Sequence, residues 1–306
     1  TKSAIWAMLC EMYLWKGDYD NCIKYADLVI QDKKDLRTER INQGLVSAER
    51  SNDDSKYNGY PLISYNAAYS SIFAEGNSQE TIFELPFDKS DPGYSRLGNS
   101  AVGRLYGSTN FTPYIVPSNA VTEDGFDKNT QRTIYADRNK YRDARICWNT
   151  DYTSKFICKY AYANVGYNAT SSSSTDNWTS VGVSKYSYSK ESNVEHFKNS
   201  SPWIIYRLTD IMLLKAEALC QRLQEGADAE TLDYNSPILT EIFTLVNAIN
   251  KRAVVPVQNN VTDTLMASDY RTKETMTNLV MKERQRELMF EGKRWYDLVR
   301  YSMRDG

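Results

Sequence analysis

The residues with the most potential for chemistry lie near the end of the chain, where charged side chains fall at the spacing of a helix core. Met276 and Val280 lie on the apolar face of a predicted helix. At the next helical steps of three and four residues, the same face continues with carboxylates and guanidinium groups. An unpaired buried charge is very costly, so charged groups on a buried face must pair with one another. The pattern therefore predicts a structural ion-pair network of Glu283, Arg284, Glu287, Glu291 and Arg294.

Glu287 and Glu291 are also the best available carboxylate pair for glycoside hydrolysis. Arginines surround them in the sequence, however, and a neighbouring guanidinium favours the ionised carboxylate, whereas a general acid needs a raised pKa. The single histidine, His196, lies in a polar stretch, and the chain has no G-x-S-x-G or P-loop sequence. We therefore predict no catalytic residue, and a secreted hydrolase is the weakest of the alternatives.

Aromatic residues in polar segments are the candidates for ligand binding. Trp178 lies in the serine-rich run 171–180, where an indole has no local core to join, and Tyr162 and Tyr167 lie in a run of small residues. An exposed aromatic ring offers an apolar face that suits the apolar face of a sugar. Trp148, in a segment rich in tyrosine, arginine and aspartate, is the fourth candidate. Packing in the core is the alternative for each tryptophan.

Composition excludes several classes of partner. The chain has 306 residues, a net charge of −2 and 41% hydrophobic residues, which gives no reason to expect nucleic acid. No apolar run approaches the roughly 18 residues of a membrane span. The five cysteines show no C-x-x-C spacing, so neither a metal nor another cofactor is predicted.

The first thirty residues have the pattern of a helical hairpin. The spacing of Trp6, Leu9, Cys10 and Tyr13 matches the opening of a tetratricopeptide repeat, with cysteine where glycine is usual. Cys22 takes the small-residue position of the second helix. Small residues at both positions allow close approach, so we expect Cys10 and Cys22 to lie side by side as free thiols.

Hydrophobic periodicity places further elements along the chain. A short helix is expected near Tyr65–Phe73. Residues 31–60 turn polar, and the charged residues there are expected to form a solvated stretch: Lys33, Lys34, Asp35, Arg37, Glu39 and Arg40. After a break at Gly292, a short amphipathic helix should pass through Trp295 and Leu298. Helices are predicted at 3–16, 19–31, 206–222, 237–252 and 272–291, and strands at 81–87 and 152–160.

These elements predict a mainly α fold, with tetratricopeptide-like hairpins and a long loop-rich insertion that carries a few short strands. We expect one domain over 1–306. Its parts are the hairpin with its polar extension (1–50), the loop-rich ligand face (51–205) and a C-terminal helical region (206–306).

Five segments, in order, resemble the SusD/RagB family. The most specific is 283–300, which reads ERQRELMFEGKRWYDLVR. The others are Gly17-Asp18-Tyr19 with 25–30, 77–84 (NSQETIFE), Asp143-Ala144-Arg145, and 206–218 (YRLTDIMLLKAEA). Together they span nearly the whole chain, although the lipid-anchored cysteine and proline-containing tail usual in the family are not in this sequence.

The resemblance implies a cell-surface lipoprotein of the outer membrane that binds oligosaccharide without cleaving it. It further implies delivery to a SusC-like TonB-dependent transporter, with membrane association only through a lipid anchor outside this chain. Peptide cargo, or a helical scaffold for protein interaction, is the alternative. Because the family's loop aromatics are not fixed in sequence, the resemblance does not choose among the four candidates.

Overall fold

The chain is mainly helical in the part that the structure describes. The computed structural model describes residues 1–44, 57–87, 99–106, 113–118, 143–150, 157–160, 164–166, 187–189, 201–223, 236–253, 265–270 and 272–305. The helices are α1 (Lys2–Lys16), α2 (Tyr19–Asn42), α3 (Tyr65–Tyr69), α4 (Ser100–Tyr106), α5 (Arg145–Asn149), α6 (Leu208–Arg222), α7 (Pro237–Ala253), α8 (Lys273–Glu287) and α9 (Arg294–Asp305). The strands are β1 (Thr81–Leu85), β2 (Asn164–Gly166), β3 (Ser187–Ser189) and β4 (Trp203–Arg207).

Helices α1 and α2 form the predicted hairpin. Gly17 ends α1 in the left-handed conformation, at a φ of 76°, which glycine adopts without steric cost. The Asp18 side chain then accepts a hydrogen bond from the backbone N–H of Asn21 and begins α2. These two end signals explain why the turn falls where the sequence predicts it.

Cys10 and Cys22 lie side by side as free, buried thiols where the two helices meet, as predicted. Their Sγ atoms are 3.6 Å apart. The hydrogen bond with Cys22, together with burial, raises the pKa of the Cys10 thiol. Cys10 is therefore a small hydrophobic residue of the interface, without the low pKa of a reactive thiol.

Helix α2 is much longer than predicted, because it continues to Asn42 through a stretch rich in charged residues. The prediction that this stretch is solvated is wrong for Lys33 and Arg37, which are both buried. The ammonium of Lys33 donates to the backbone carbonyl of Thr81 in β1. Lys33 thus links α2 to the start of β1, and its long apolar stem can be buried while its ammonium is hydrogen-bonded.

Helix α6 is the centre of the helical region. It packs against α1, α2, α7 and α8, and every residue from Leu208 to Cys220 is buried. A helix that is buried all round needs partners for its charged residues as well as apolar neighbours. Those partners come largely from α8 and α9.

Strands β1 and β4 form an antiparallel pair, with Phe83 opposite Tyr206 and Leu85 opposite Trp203. Strand β1 was predicted from its alternation, whereas β4 was not. The predicted helix start at Tyr206 is wrong, because Tyr206 and Arg207 end β4 and α6 begins at Leu208. The backbone N–H of Leu208 donates to the carbonyl of Glu80, 2.8 Å away, so the pair leads directly into the central helix.

Helix α8 ends one turn earlier than predicted. Its last residue is Glu287, and a turn over Leu288–Gly292 follows, with Gly292 at a φ of 77°. Glu291 therefore lies in this turn and not on the helix. The predicted break at Gly292 and the predicted helix after it are both present, the latter as α9.

Much of the described loop-rich region packs around one aromatic core, while Tyr57, Tyr60 and Leu62 join the cluster between α6, α7 and α8. Helix α3 continues into a π-helical turn, Ser70–Glu75, which confirms helical structure near Tyr65–Phe73. The predicted strand at 152–160 is wrong for its last residues: Ile157 makes a single bridge with Thr150, and Tyr160 lies in a turn with a φ of 66°. Residues 151–156 lie outside the described part of the chain.

Candidate functional site

The glutamates at the end of α8 are buried in a cluster of ion pairs. Glu283, Glu287 and Glu291 are at most 5% exposed. The guanidinium of Arg207, at the end of β4, joins two of them. Its Nη1 is 2.6 Å from Oε1 of Glu287, while Nε and Nη2 are 2.8 and 2.7 Å from the two carboxylate oxygens of Glu291. This bidentate geometry is the strongest form of arginine–carboxylate pairing.

Two further arginines reach the same carboxylates from distant elements. Nη1 of Arg145, in α5, is 2.6 Å from Oε1 of Glu283, and its Nη2 is 2.6 Å from Oδ2 of Asp143. Arg252, in α7, donates to Glu287. Helices α5, α7 and α8 and strand β4 therefore converge on one buried set of charges.

Lys159 fastens the loop-rich region to the end of α8. Its Nζ donates to the backbone carbonyls of Glu287 and Met289, at 3.1 and 2.9 Å, and to Oε1 of Glu291, at 2.7 Å. The last carbonyls of a helix have no partner within the helix, and a cation there also opposes the negative end of the helix dipole. Lys159 thus acts as a cap supplied from outside the helix.

A second set of ion pairs holds α9 to the central helix. The guanidinium of Arg284 lies between Asp210 of α6, at 3.1 Å, and Asp297 of α9, at 2.8 Å. Arg300 of α9 makes a bidentate pair with Glu217 of α6, at 2.8 and 2.7 Å. The charged residues of the terminal motif therefore pack three helices together.

The surroundings keep these carboxylates ionised. Burial by itself raises the pKa of Glu287, but the charges of Arg252, Arg207 and Arg145 outweigh burial and hold that pKa well below 4.5. Arg207 and Lys159 likewise lower the pKa of Glu291 against the opposing effect of burial. A buried carboxylate that holds no proton cannot serve as a general acid, so Glu287 and Glu291 do not form the acid–base pair of a hydrolase.

Glu80 differs from the other buried glutamates. Its Oε1 accepts from the backbone N–H of Ile63 at 2.7 Å and lies 3.2 Å from Nη1 of Arg252. Burial raises its pKa, and Arg252 only partly opposes that rise. Because Glu80 precedes β1 and lies deep in the core, its role is to join β1 to α7.

Of the predicted network, Arg284 pairs with Asp210 and Asp297, and Arg294 lies apart from the three glutamates. Its side chain is half-buried and donates to the backbone carbonyl of Met281, 3.4 Å away. The partners that sequence reasoning missed are Arg145, Lys159, Arg207 and Arg252. Their only signal was that Arg145 and Arg207 fall in segments that resemble the SusD/RagB pattern.

One of the four proposed ligand-binding residues lies in the described part of the chain. Trp148 is buried in the aromatic core, with the guanidinium of Arg252 5.4 Å from its ring centre, which matches the core-packing alternative. Its ring is not available to a ligand, and we leave it out of the ligand face proposed below. Trp178, Tyr162 and Tyr167 lie outside the described residues.

Metal binding and membrane insertion find no support in the described residues. Among them, no group of three or more histidine, cysteine, aspartate or glutamate side chains is arranged to hold a metal ion. No described helix combines the length and the apolar character that crossing a bilayer demands.

Comparisons with curated proteins find one relative over nearly the whole chain and another over part of it. SusD-like protein P2 of Formosa agariphila is 23% identical over 311 residues, which cover 99% of this chain and 51% of that protein. SusD-like protein P38 of the same organism is 33% identical over 120 residues, or 39% of this chain and 20% of that protein. The chain thus spans about half the length, or less, of the relatives that it matches.

Solved structures show the same fold. A SusD superfamily protein from Bacteroides thetaiotaomicron superposes with a TM-score of 0.55 at 19% identity, over 98% of this chain and 49% of the other. A SusD homolog from the same organism gives a TM-score of 0.54 at 16% identity, over 99% and 53%. The model of the SusD family matches residues 29–306. Since that match covers most of the sequence, this chain belongs to the SusD family.

Proposed function

We propose that this protein binds oligosaccharides at the cell surface, without cleaving them, for delivery to a TonB-dependent transporter of the outer membrane. The observation that carries the proposal is the family match over residues 29–306, because the family consists of surface lipoproteins that capture nutrients for such transporters. Attachment to the outer membrane through a lipid anchor, and a SusC-like transporter as partner, belong to the same proposal.

The described chemistry supports binding over catalysis. The best carboxylate pair in the sequence is buried and held ionised by arginines, which suits a structural role and not that of a general acid. The ion pairs bring α5 and Lys159, which belong to the loop-rich region, onto the helical scaffold. A rigid scaffold that presents loops is the usual arrangement for a binding protein.

The ligand residues proposed are Trp178, with Tyr162 and Tyr167 as neighbours. Trp178→Ala should weaken oligosaccharide binding by about 1–3 kcal/mol, by analogy with the stacking of planar ligands on aromatic rings. Isothermal titration calorimetry on the full-length protein measures this change, and Trp295→Ala, which removes an exposed tryptophan of α9, is the matched control. Unchanged affinity together with a large loss of thermal stability would show that Trp178 is a core residue.

Capture of peptide is a second candidate, and one observation favours it. Helix α1 exposes Ile5, Met12 and Trp15, and α9 exposes Leu298 and Met303. The ring of Trp15 lies 5.5 Å from the guanidinium of Arg300, so the two helices are neighbours. Apolar residues on adjacent helices are typical of a surface that binds an amphipathic segment. Titration with unstructured peptides, beside the oligosaccharides, separates the two functions.

A further inference from the structure

A short apolar ridge stands out on the described surface of the loop-rich region. Tyr114, Ile115 and Val116 are consecutive and are 81%, 43% and 62% exposed. Pro113 before them and Pro117 after them are both buried. The chain is thus fixed at both ends of the ridge, and its three apolar side chains face water between two anchored prolines.

The backbone of the ridge is tied to α4. The N–H of Tyr114 donates to the carbonyl of Arg104 at 3.1 Å, and the N–H of Ile115 donates to the carbonyl of Leu105 at 2.9 Å. These carbonyls belong to the last turn of α4 and have no partner within the helix. The hydrogen bonds therefore satisfy the end of α4 and hold the ridge in one conformation.

Helix α4 is itself firmly held. Val102 and Tyr106 are buried in the aromatic core, and the hydroxyl of Tyr106 donates to the carbonyl of Phe290 at 2.6 Å. Phe290 lies in the turn between Glu287 and Glu291, so the ion-pair cluster anchors the support of the ridge. A ring held in place by its scaffold loses little conformational entropy when it binds a ligand.

The same aromatic core also supports strand β2. Strand β2 packs against α3 and the π-helical turn, and both contribute residues to the core that buries α4. Tyr162 and Tyr167 flank β2 closely in the sequence. The ridge and the tyrosine-flanked strand are therefore carried by one cluster of packed residues.

Resting on the proposed function, we propose that Tyr114 is a sugar-binding residue, whose exposed ring stacks on the apolar face of a neutral pyranose. Ile115 and Val116 extend the apolar contact, and the exposed Arg104 is placed to donate to sugar hydroxyls. A protein partner needs roughly 20–30 residues on each side of an interface. Within the described residues, the ridge consists of three side chains, which matches the dimensions of one or two sugar rings.

The test is isothermal titration calorimetry of the full-length protein with hexasaccharides of five neutral sugars: glucose, xylose, mannose, galactose and N-acetylglucosamine. Tyr114→Ala should weaken the binding of whichever sugar the native protein binds by about tenfold or more, a typical loss for one stacked ring. Tyr114→Phe keeps the ring and should bind within about twofold of the native protein. Tyr296→Ala, which removes an exposed ring of α9, should bind as the native protein does.

Each outcome decides the matter. Native affinity in Tyr114→Ala overturns this inference and leaves the proposed function standing, whereas failure of the native protein to bind any of the five sugars overturns both. Equal weakening in Tyr114→Ala, Tyr114→Phe and Tyr296→Ala also overturns the inference, because stacking on one ring does not predict it. Because the Tyr114 side chain is exposed, the melting temperature of all three variants should match that of the native protein.

Discussion

Each buried glutamate near the end of α8 is paired with cations from distant parts of the chain. Glu287 accepts from Arg207 in β4 and from Arg252 in α7, while Glu283 accepts from Arg145 in α5. The helical stripe predicted that these carboxylates are buried, because stripe and burial are local properties of one helix. The spacing of residues within one helix does not indicate which distant arginines pair with these carboxylates, so those partners could not be predicted.

Removing one of these carboxylates should be strongly destabilising. Glu287→Ala leaves Arg207 and Arg252 short of a buried partner, and we expect a loss of about 3–5 kcal/mol in the free energy of unfolding. A urea titration followed by circular dichroism measures the loss. Lys282→Ala, in the same helix but exposed, should change the free energy by less than about 0.5 kcal/mol. Equal effects from the two variants would contradict a buried network.

The lowered pKa values predict a loss of stability in acid. Although burial opposes it, arginine or lysine neighbours lower the pKa of Asp210, Glu217, Glu283, Glu287 and Glu291. A carboxyl whose pKa is lower in the folded state stabilises the fold above its unfolded pKa. That contribution is lost as the pH falls through the folded pKa. The pKa values of Glu80 and Glu84 are raised, which has the opposite sign, but two such groups do not offset the five whose pKa is lowered.

Urea unfolding between pH 7 and pH 3 tests this dependence. We expect a nearly constant free energy of unfolding down to about pH 5 and a steady fall below about pH 4.5, where unfolded glutamates take up protons. Glu287→Gln removes one of the titrating groups, so its fall should be shallower. Stability that rose on acidification would mean that these carboxylates hold protons in the folded protein.

At the scale of elements, α9 buries charge and exposes apolar side chains. Asp297 and Arg300 are buried against α6 and α8, whereas Trp295 and Met303 are 71% and 72% exposed. The amphipathic pattern after Gly292 correctly predicted a helix, but periodicity alone does not state which face points inward. The ion pairs with Glu217 and Arg284 decide the orientation of α9.

Two substitutions in α9 should therefore have effects opposite to those that hydrophobicity suggests. Trp295→Ser removes a large apolar side chain, but because that side chain is exposed we expect a change within about 0.5 kcal/mol. Arg300→Ala deprives the buried Glu217 of its bidentate partner and should cost about 3 kcal/mol or more. Thermal melts of the two variants compare these losses. A larger cost for Trp295→Ser would mean that the apolar face of α9, and not its charged face, points inward.

The hairpin of α1 and α2 allows a test of its thiols. Alkylation of the native protein under denaturing, non-reducing conditions, followed by peptide mapping, should find both Cys10 and Cys22 alkylated. Their Sγ atoms are 3.6 Å apart and share a hydrogen bond, not a disulfide, and the raised pKa of Cys10 disfavours the reactive thiolate in the folded protein. Recovery of the two peptides as one cross-linked species would contradict the free-thiol state.

Helices with clear end signals were predicted best. Gly17 and Asp18 mark the hairpin turn by their own conformational preferences, and the apolar stripe of α7 gave its bounds to within one residue. Strand β4 was missed because its short apolar run continues without a break signal into α6, and periodicity does not separate a five-residue strand from a helix start. Its partner β1 lies more than a hundred residues earlier, which no local pattern reveals.

At the scale of the whole molecule, the described core divides into three clusters. One lies between α1, α2 and α6, one between α6, α7 and α8, and one under the loop-rich region. Charged residues connect the last two, because Arg252 reaches Glu287 and lies beside Trp148. Trp148 lies in a polar segment of the sequence but belongs to the core, because it packs beside the guanidinium of Arg252. A tryptophan's neighbours in the sequence do not distinguish this position from a ligand face.

In the proposed function, the helices form a rigid scaffold and the loop-rich region forms the binding face. The scaffold is predictable from sequence because helices have periodic signals, whereas a binding face built from loops depends on distant packing. The exposed ridge at Tyr114 illustrates the difference. Its position rests on hydrogen bonds to α4 and on two buried prolines, neither of which has a periodic signature.

The most direct test of non-catalytic capture is one calorimetric titration of the full-length protein with the five hexasaccharides, followed by chromatography of the recovered sugar. The account predicts saturable binding of at least one hexasaccharide and its recovery at unchanged chain length. Absence of binding to all five would contradict oligosaccharide capture, and recovery of shortened products would contradict a role without catalysis.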